Sequence, residues 1–135
     1  MHFQFANEGT ICLFAAGDQT SSPSSPFPQP MSVSYAAGDV ASIAVQFPTC
    51  LAGSCTRAAM ASCTVSGSGS ALQVTSEGSY TEQGQTCTLE CRSLIARCPT
   101  PPLGAGTTTF AHGTTTLSVT VPFAGAPPCA GGPPP

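Results

Sequence analysis

Eight cysteines in a chain of 135 residues constrain the fold more than any other feature. The count is even and no CxxC pair repeats, which favours disulfides over a metal framework. Disulfides persist in oxidising compartments, so the chain is expected in the periplasm, at the cell surface or outside the cell. Eight cysteines admit roughly a hundred pairings, and spacing alone does not choose among them. The expected set has Cys50–Cys55 and Cys87–Cys91 as local clips. Cys63–Cys98 would then join two strands, and Cys12–Cys129 would fasten the end of the chain to its first strand. Either Cys87 or Cys91 could instead take Cys63 or Cys98. By loop entropy the Cys50–Cys55 clip contributes at most about 2 kcal/mol, Cys63–Cys98 about 4 and Cys12–Cys129 about 5. Long-range bridges matter most where the core is modest, as it must be in one domain of this length.

Hydrophobic periodicity supplies the rest of the fold. In Ser62–Tyr80 two short alternating runs, Cys63–Ser66 and Leu72–Thr75, flank Gly67-Ser68-Gly69-Ser70. Period-two alternation puts Cys63 and Val65 on one face of a strand, and Leu72 and Val74 on one face of the next. A hairpin with one apolar side requires a second layer to cover it. Further strands read at Thr10–Phe14, Met31–Tyr35, Val40–Phe47, Leu94–Cys98, Thr107–Ala111 and Thr114–Val121. In Val40–Phe47, Ile43, Val45 and Phe47 point one way while Ser42, Ala44 and Gln46 point the other, which reads as a half-buried strand. In Thr114–Val121, Leu117, Val119 and Val121 face inward. Turns are expected at Asn7-Glu8-Gly9, Gly38-Asp39 and His112-Gly113. Arg57–Ser62 fits either one helical turn or a connector, and Thr81–Gln85 reads as a polar loop. Residues 15–30 form a Ser/Pro-rich surface loop, because each proline removes a ladder donor. The expected fold is all-β: a disulfide-stapled, immunoglobulin-like β-sandwich of about seven or eight short strands. It occupies residues 1–123, followed by a Pro/Gly-rich tail over 124–135 tethered through Cys129.

Charge excludes several functions. Three basic residues, none of them lysine, against six acids give a net charge of −3. A nucleic-acid partner requires a basic stripe, and an anionic membrane surface requires basic clusters; the chain has neither. No apolar run approaches the length of a transmembrane helix. MHFQFANEG lacks the basic start and apolar core of a signal peptide, so if the protein is secreted Met1 reads as an artificial start or as the start of a trimmed mature domain.

Several segments together carry a resemblance. They are Asn7-x-Gly-x-x-Cys12, Phe47-Pro-Thr-Cys50-Leu-x-x-Ser-Cys55, Ser62-Cys63-x-Val, Val74-Thr-Ser-x-Gly-Ser-Tyr80 and Cys87-x-x-x-Cys91. With them go Ala96-x-Cys98-x-Thr-Pro-x-Leu-x-x-Gly106, His112-Gly and Leu117-x-Val-x-Val-Pro122. The chain resembles an uncharacterised Cys-rich β-sandwich domain of predicted bacterial secreted proteins and lipoproteins of the myxobacterial type. That resemblance implies the fold and an exported setting, and carries no activity or catalytic residue. Thr107-Thr108-Thr109-Phe110 stands where that family has an aromatic or β-branched strand.

Candidate chemistry is sparse. His112 reads as an exposed turn residue, and His2 as a frayed end. Zinc held by Cys87, Cys91, Cys98 and His112 competes with oxidation of those thiols and is set aside. Glu77, Glu82 and Glu90 lie in polar surroundings that would leave them solvated. No phosphate-binding, nucleophile-elbow, zinc-protease or calcium-loop motif occurs. No catalytic residue, metal or cofactor is therefore assigned. Leu51, Ala52, Gly53 and Ser54 are the possible binding loop, because a loop held by a bridge is preorganised for recognition. The expected function is a non-enzymatic, extracellular structural or interaction module of a bacterial surface or secreted protein, meeting protein or glycan partners. The alternatives are a carbohydrate- or protease-binding module using the 51–54 loop, and a fibre-forming subunit that self-associates through an open strand edge such as Met31–Tyr35.

Overall fold

A computed structural model describes residues 1–15, 32–84, 86–88 and 92–131. Met31 and all of the 15–30 loop but Ala15 fall outside these residues, as do Glu90 and Cys91. The described residues form an all-β sandwich with more strands than the sequence suggests. The longest elements are the hairpin around Gly69-Ser70: β5 (Thr56–Ser68) and β6 (Ala71–Glu82) pair antiparallel along their whole length. Arg57–Ser62 is therefore neither helical nor a connector. It is the first half of β5, interrupted by a register shift between Arg57 and Met60 where Ala58 adopts φ 52°.

Strand β6 is the axis of the first sheet. One of its edges carries β5. Its other edge is shared by two strands, each pairing with a different half. β1 (His2–Ala6) pairs antiparallel with residues 77–81, and β8 (Gly106–His112) pairs parallel with residues 71–73. β9 (Thr115–Val121) completes the sheet by pairing with β8. The parallel β6–β8 pair needs a long crossover, and the chain supplies it by visiting the second sheet in between. That sheet has the order β11-β2-β4-β7, from β2 (Thr10–Ala15), β4 (Ala41–Gln46), β7 (Ile95–Pro99) and β11 (Cys129–Ala130). A two-stranded ribbon of β3 (Val33–Tyr35) and β10 (Phe123–Gly125) is fastened to it by Tyr35, whose hydroxyl donates to the Leu13 carbonyl at 2.7 Å.

Four sequence expectations are corrected here. His2 is not frayed but lies in β1, opposite Thr81. Residues 124–131 are not a tail: they complete β10 and supply β11, and Cys129 sits in register with Cys12. Thr81 and Glu82 continue β6 rather than looping away. Finally, β4 is buried on both faces, including Ser42, Ala44 and Gln46. The cause is its central position. Ala44 lies between Cys12 and Arg97, and Ser42 between Phe14 and Pro99, so larger neighbours on both flanks shade the small side chains. Gln46 satisfies its amide by donating to the Ser93 hydroxyl at 2.9 Å.

Inward-facing residues of both sheets make one core. β6 contributes Leu72, Val74 and Tyr80; β8 and β9 contribute Phe110, Leu117, Val119 and Val121; β2 and β4 contribute Ile11, Leu13, Ile43 and Val45. Gly78 is the gap in the β6 row that admits the Phe47 ring; a Cβ there would come within 3.0 Å of the Phe47 and Leu94 side chains. Phe3 of β1 stacks on Tyr80 with ring centroids 4.8 Å apart, closing that end.

The expected Cys12–Cys129 and Cys63–Cys98 bridges are present. The two local clips are not. Cys55 pairs with Cys87, which excludes both Cys50–Cys55 and Cys87–Cys91, and Cys50 is itself in a disulfide. The reason is geometric: Cys55 ends the turn that launches β5, and the chain leaving β6 passes back beside it, Gln83 N–H donating to the Cys55 carbonyl at 2.9 Å.

Candidate functional site

Three separate places in the structure are candidates, the first two of them holding residues singled out from the sequence. The first is the 51–54 loop. Leu51 is buried and exchanges backbone hydrogen bonds of 2.9 and 3.0 Å with Arg92. The Ala52 carbonyl accepts from the N–H groups of Cys55 and Thr56, winding the loop into a single tight turn. Ser54 accepts from the Thr88 N–H at 2.9 Å, beside the Cys55–Cys87 bridge. The loop is thus held by partners far along the chain, with Cys55–Cys87 separated by 32 positions and Ser54–Thr88 by 34, rather than by a clip of its own. Only Gly53 and Ser54 are left exposed, so it offers a small contact surface.

The second place is the junction where β1 and β8 part on the edge of β6. Asn7, in the left-handed region at φ 53°, bonds Ser76 twice: its N–H donates to the Ser76 carbonyl at 3.0 Å, and its side-chain oxygen accepts from the Ser76 N–H at 2.8 Å. Asparagine tolerates this conformation because its short polar side chain bonds locally. Gly113 passes so close that a Cβ would collide with the Asn7 carbonyl oxygen. Underneath, His112 and Ser76 face each other at 2.7 Å through Nε2 and Oγ, each only 1 % exposed. His112 is therefore the last residue of β8, not an exposed turn residue; the turn is Gly113-Thr114. Its Nδ1 is buried without a hydrogen-bond partner. Burial pushes its pKa below the ordinary value and holds the ring neutral. A serine nucleophile needs a histidine oriented by a third group and a path for substrate. Here the orienting position is bare and both side chains lie beneath the sheet, so the pair fills and pins the core.

The third is the outward face of the β1–β6–β5 sheet, a surface the sequence analysis did not single out. A shallow groove of about 350 Å³ runs across it, lined by Gln4, Phe5, Ala6, Met60, Glu77 and Ser79 among others. Met60 stands over it 67 % exposed. The register explains the composition: Met60 pairs with Ser79, and Ser79 with Gln4, so one row of the sheet presents a large apolar, a small and an amide side chain in line. The signal in the sequence was the apolar Met60 on the solvent parity of β5, hidden by reading Arg57–Ser62 as irregular.

Beyond the groove, away from Arg57, the same face is rich in hydroxyls. Thr64 opposes Thr75, Thr109 opposes Ser118, and the hydroxyls of Thr107 and Thr120 lie 3.1 Å apart. Glu77 points outward and is exposed. The zinc set considered above cannot form, since Cys87 and Cys98 are both in disulfides. Among the described residues there is no cluster of potential metal ligands and no helix long and apolar enough to cross a membrane. No protein-family model, curated protein or solved structure matches the chain. The class defined by the fold is an all-β, disulfide-stapled sandwich suited to an oxidising environment.

Proposed function

We propose that the chain is a non-enzymatic, extracellular structural or interaction module of a bacterial surface or secreted protein. The observation that carries this reading is the way the sandwich is closed. Cys63–Cys98 ties β5 of one sheet to β7 of the other, and Cys12–Cys129 ties the last strand to β2. The one buried histidine is spent on core packing, and the broad outer face offers neutral hydroxyls suited to contact rather than to turnover. The bacterial and exported setting rests on the resemblance described above and on the oxidised cysteines.

The test compares the oxidised protein with the S76A and H112A variants on panels of ester, peptide and glycoside substrates. The expected result is no turnover that either substitution changes. A hydrolysis lost in both variants would overturn the reading. A second reading, recognition of a carbohydrate or a protease through the 51–54 loop, is supported by the fixing of Ser54 to Thr88. It expects binding on a glycan array or to a protease panel that a G53W substitution abolishes without changing the melting temperature.

A further inference from the structure

The edges of a sheet carry unpaired N–H and C=O groups, and proteins ordinarily protect them with charges, prolines, bulges, shortness or cover. Most of the edges here are protected in these ways: the edge strands β1, β3, β10 and β11 are short, at five residues or fewer. β5 is bent by its register shift at Arg57–Met60 and tied to the facing sheet by Cys63–Cys98. β7 carries Arg97 and ends on Pro99. β11 is two residues long. β9 has no charge, proline, bulge or shortness to protect it: seven residues, TTLSVTV, without proline, glycine or charge, and without a register shift against β8. Among the described residues its only ladder partner is β8, and β11 of the facing sheet approaches it without pairing. The strand and its ladder partner β8 are also neutral, since no Asp, Glu, Lys or Arg follows Arg97 in the sequence.

We propose that the β9 edge is a self-association surface, where a second copy of this chain adds its own β9 antiparallel about a two-fold axis. Two five-stranded sheets would then run on as one. The occupant is a second copy because the strand is complementary to itself. A two-fold centred on Ser118 sets Thr116 against Thr120 on the outer face and Leu117 against Val119 on the inner face. Hydroxyl rows continue as hydroxyl rows, and apolar rows as apolar rows. Like charges directly opposite would oppose such pairing, and there are none; a charged peptide would find no countercharge. The inference deepens the reading of the chain as an interaction module and rests on it.

Sedimentation equilibrium of the oxidised full chain over a range of concentrations tests the proposal. The expected result is a reversible monomer–dimer equilibrium, with amide exchange in β9 slowing as concentration rises. S118K places two like charges on the axis and should weaken the dimer about fivefold or more. T116K/T120E places opposite charges across both flanking pairs and should retain it. Ser118 is exposed, so an unchanged melting temperature separates loss of pairing from loss of fold. A monomer at every concentration, or a dimer indifferent to S118K, overturns the proposal. Neither result touches the absence of turnover expected for the module, which is assayed separately.

Discussion

The two long sides of the sandwich are held shut by different means. On the β5–β7 side the inward residues of β5 are small: Ala59, Ala61, Cys63 and Val65 are only partly buried against the core. There the two sheets are joined covalently by Cys63–Cys98, with the two Cα atoms 5.6 Å apart. On the β8–β9 side Phe110, Leu117, Val119 and Val121 are buried, and neither strand carries a cysteine to cross-link it. Burying one large apolar side chain contributes roughly 1.5–3 kcal/mol, so the second side holds by contact alone. Cross-linking has gone where side chains are too small to hold the layers together, and dispersion serves where they are large.

The sharpest way to break this contrast is Phe110→Ala, which removes the main contact of the side that lacks a cross-link. It should cost about 3–5 kcal/mol, read as a lowered midpoint in urea. A cost below about 1 kcal/mol would mean that this side is not held by packing. Replacing Cys63 and Cys98 by alanine should cost at most about 4 kcal/mol. That loss should be local as well as global: amide exchange should quicken in β5 and β7 and hold steady in β8 and β9. A uniform increase would show that the two sides open as one.

The smallest effect concerns acidity. In the unfolded chain His112 takes up a proton near its ordinary value of 6.5, and in the fold burial lowers that value. Between the two, the unfolded chain holds the extra proton. Stability attributable to this group is thus complete above about pH 6.5 and declines as pH falls toward the folded value. Melting temperatures from pH 7 downward should show the decline, and His112→Gln should flatten it. An identical slope in the variant would assign the acid sensitivity elsewhere.

The residues that announced themselves in the sequence are those whose neighbours along the chain decide their fate. Leu72 and Val74, or Leu117 and Val119, alternate with hydroxyl and amide side chains, and alternation is local information. The inward faces of the β5–β6 hairpin and of β9 followed from it. The outer face of β4 was illegible because Ala44 is covered by Cys12 and Arg97, which only the pairing register brings alongside. Cys55–Cys87 was illegible for the same reason: nearness in sequence drew Cys55 toward Cys50, while the returning end of β6 brings Cys87 to it. His112 was read from the glycine beside it, although its parity in β8 matches that of Phe110 and points it inward. The prolines after residue 121 hid β10 and β11, short strands that exist only because β3 and β2 offer them partners.

The Cys12–Cys129 bridge closes a covalent ring around nearly the whole molecule, its ends 117 positions apart in sequence. Tension applied at the two extremities would run through sulfur instead of through the hydrogen-bonded ladders. Such a pull would strip β1 from β6 and Ala130 from Ile11. Everything enclosed, both sheets' central strands included, would bear no load until that one bond were cut, so mechanical endurance here is a matter of redox chemistry.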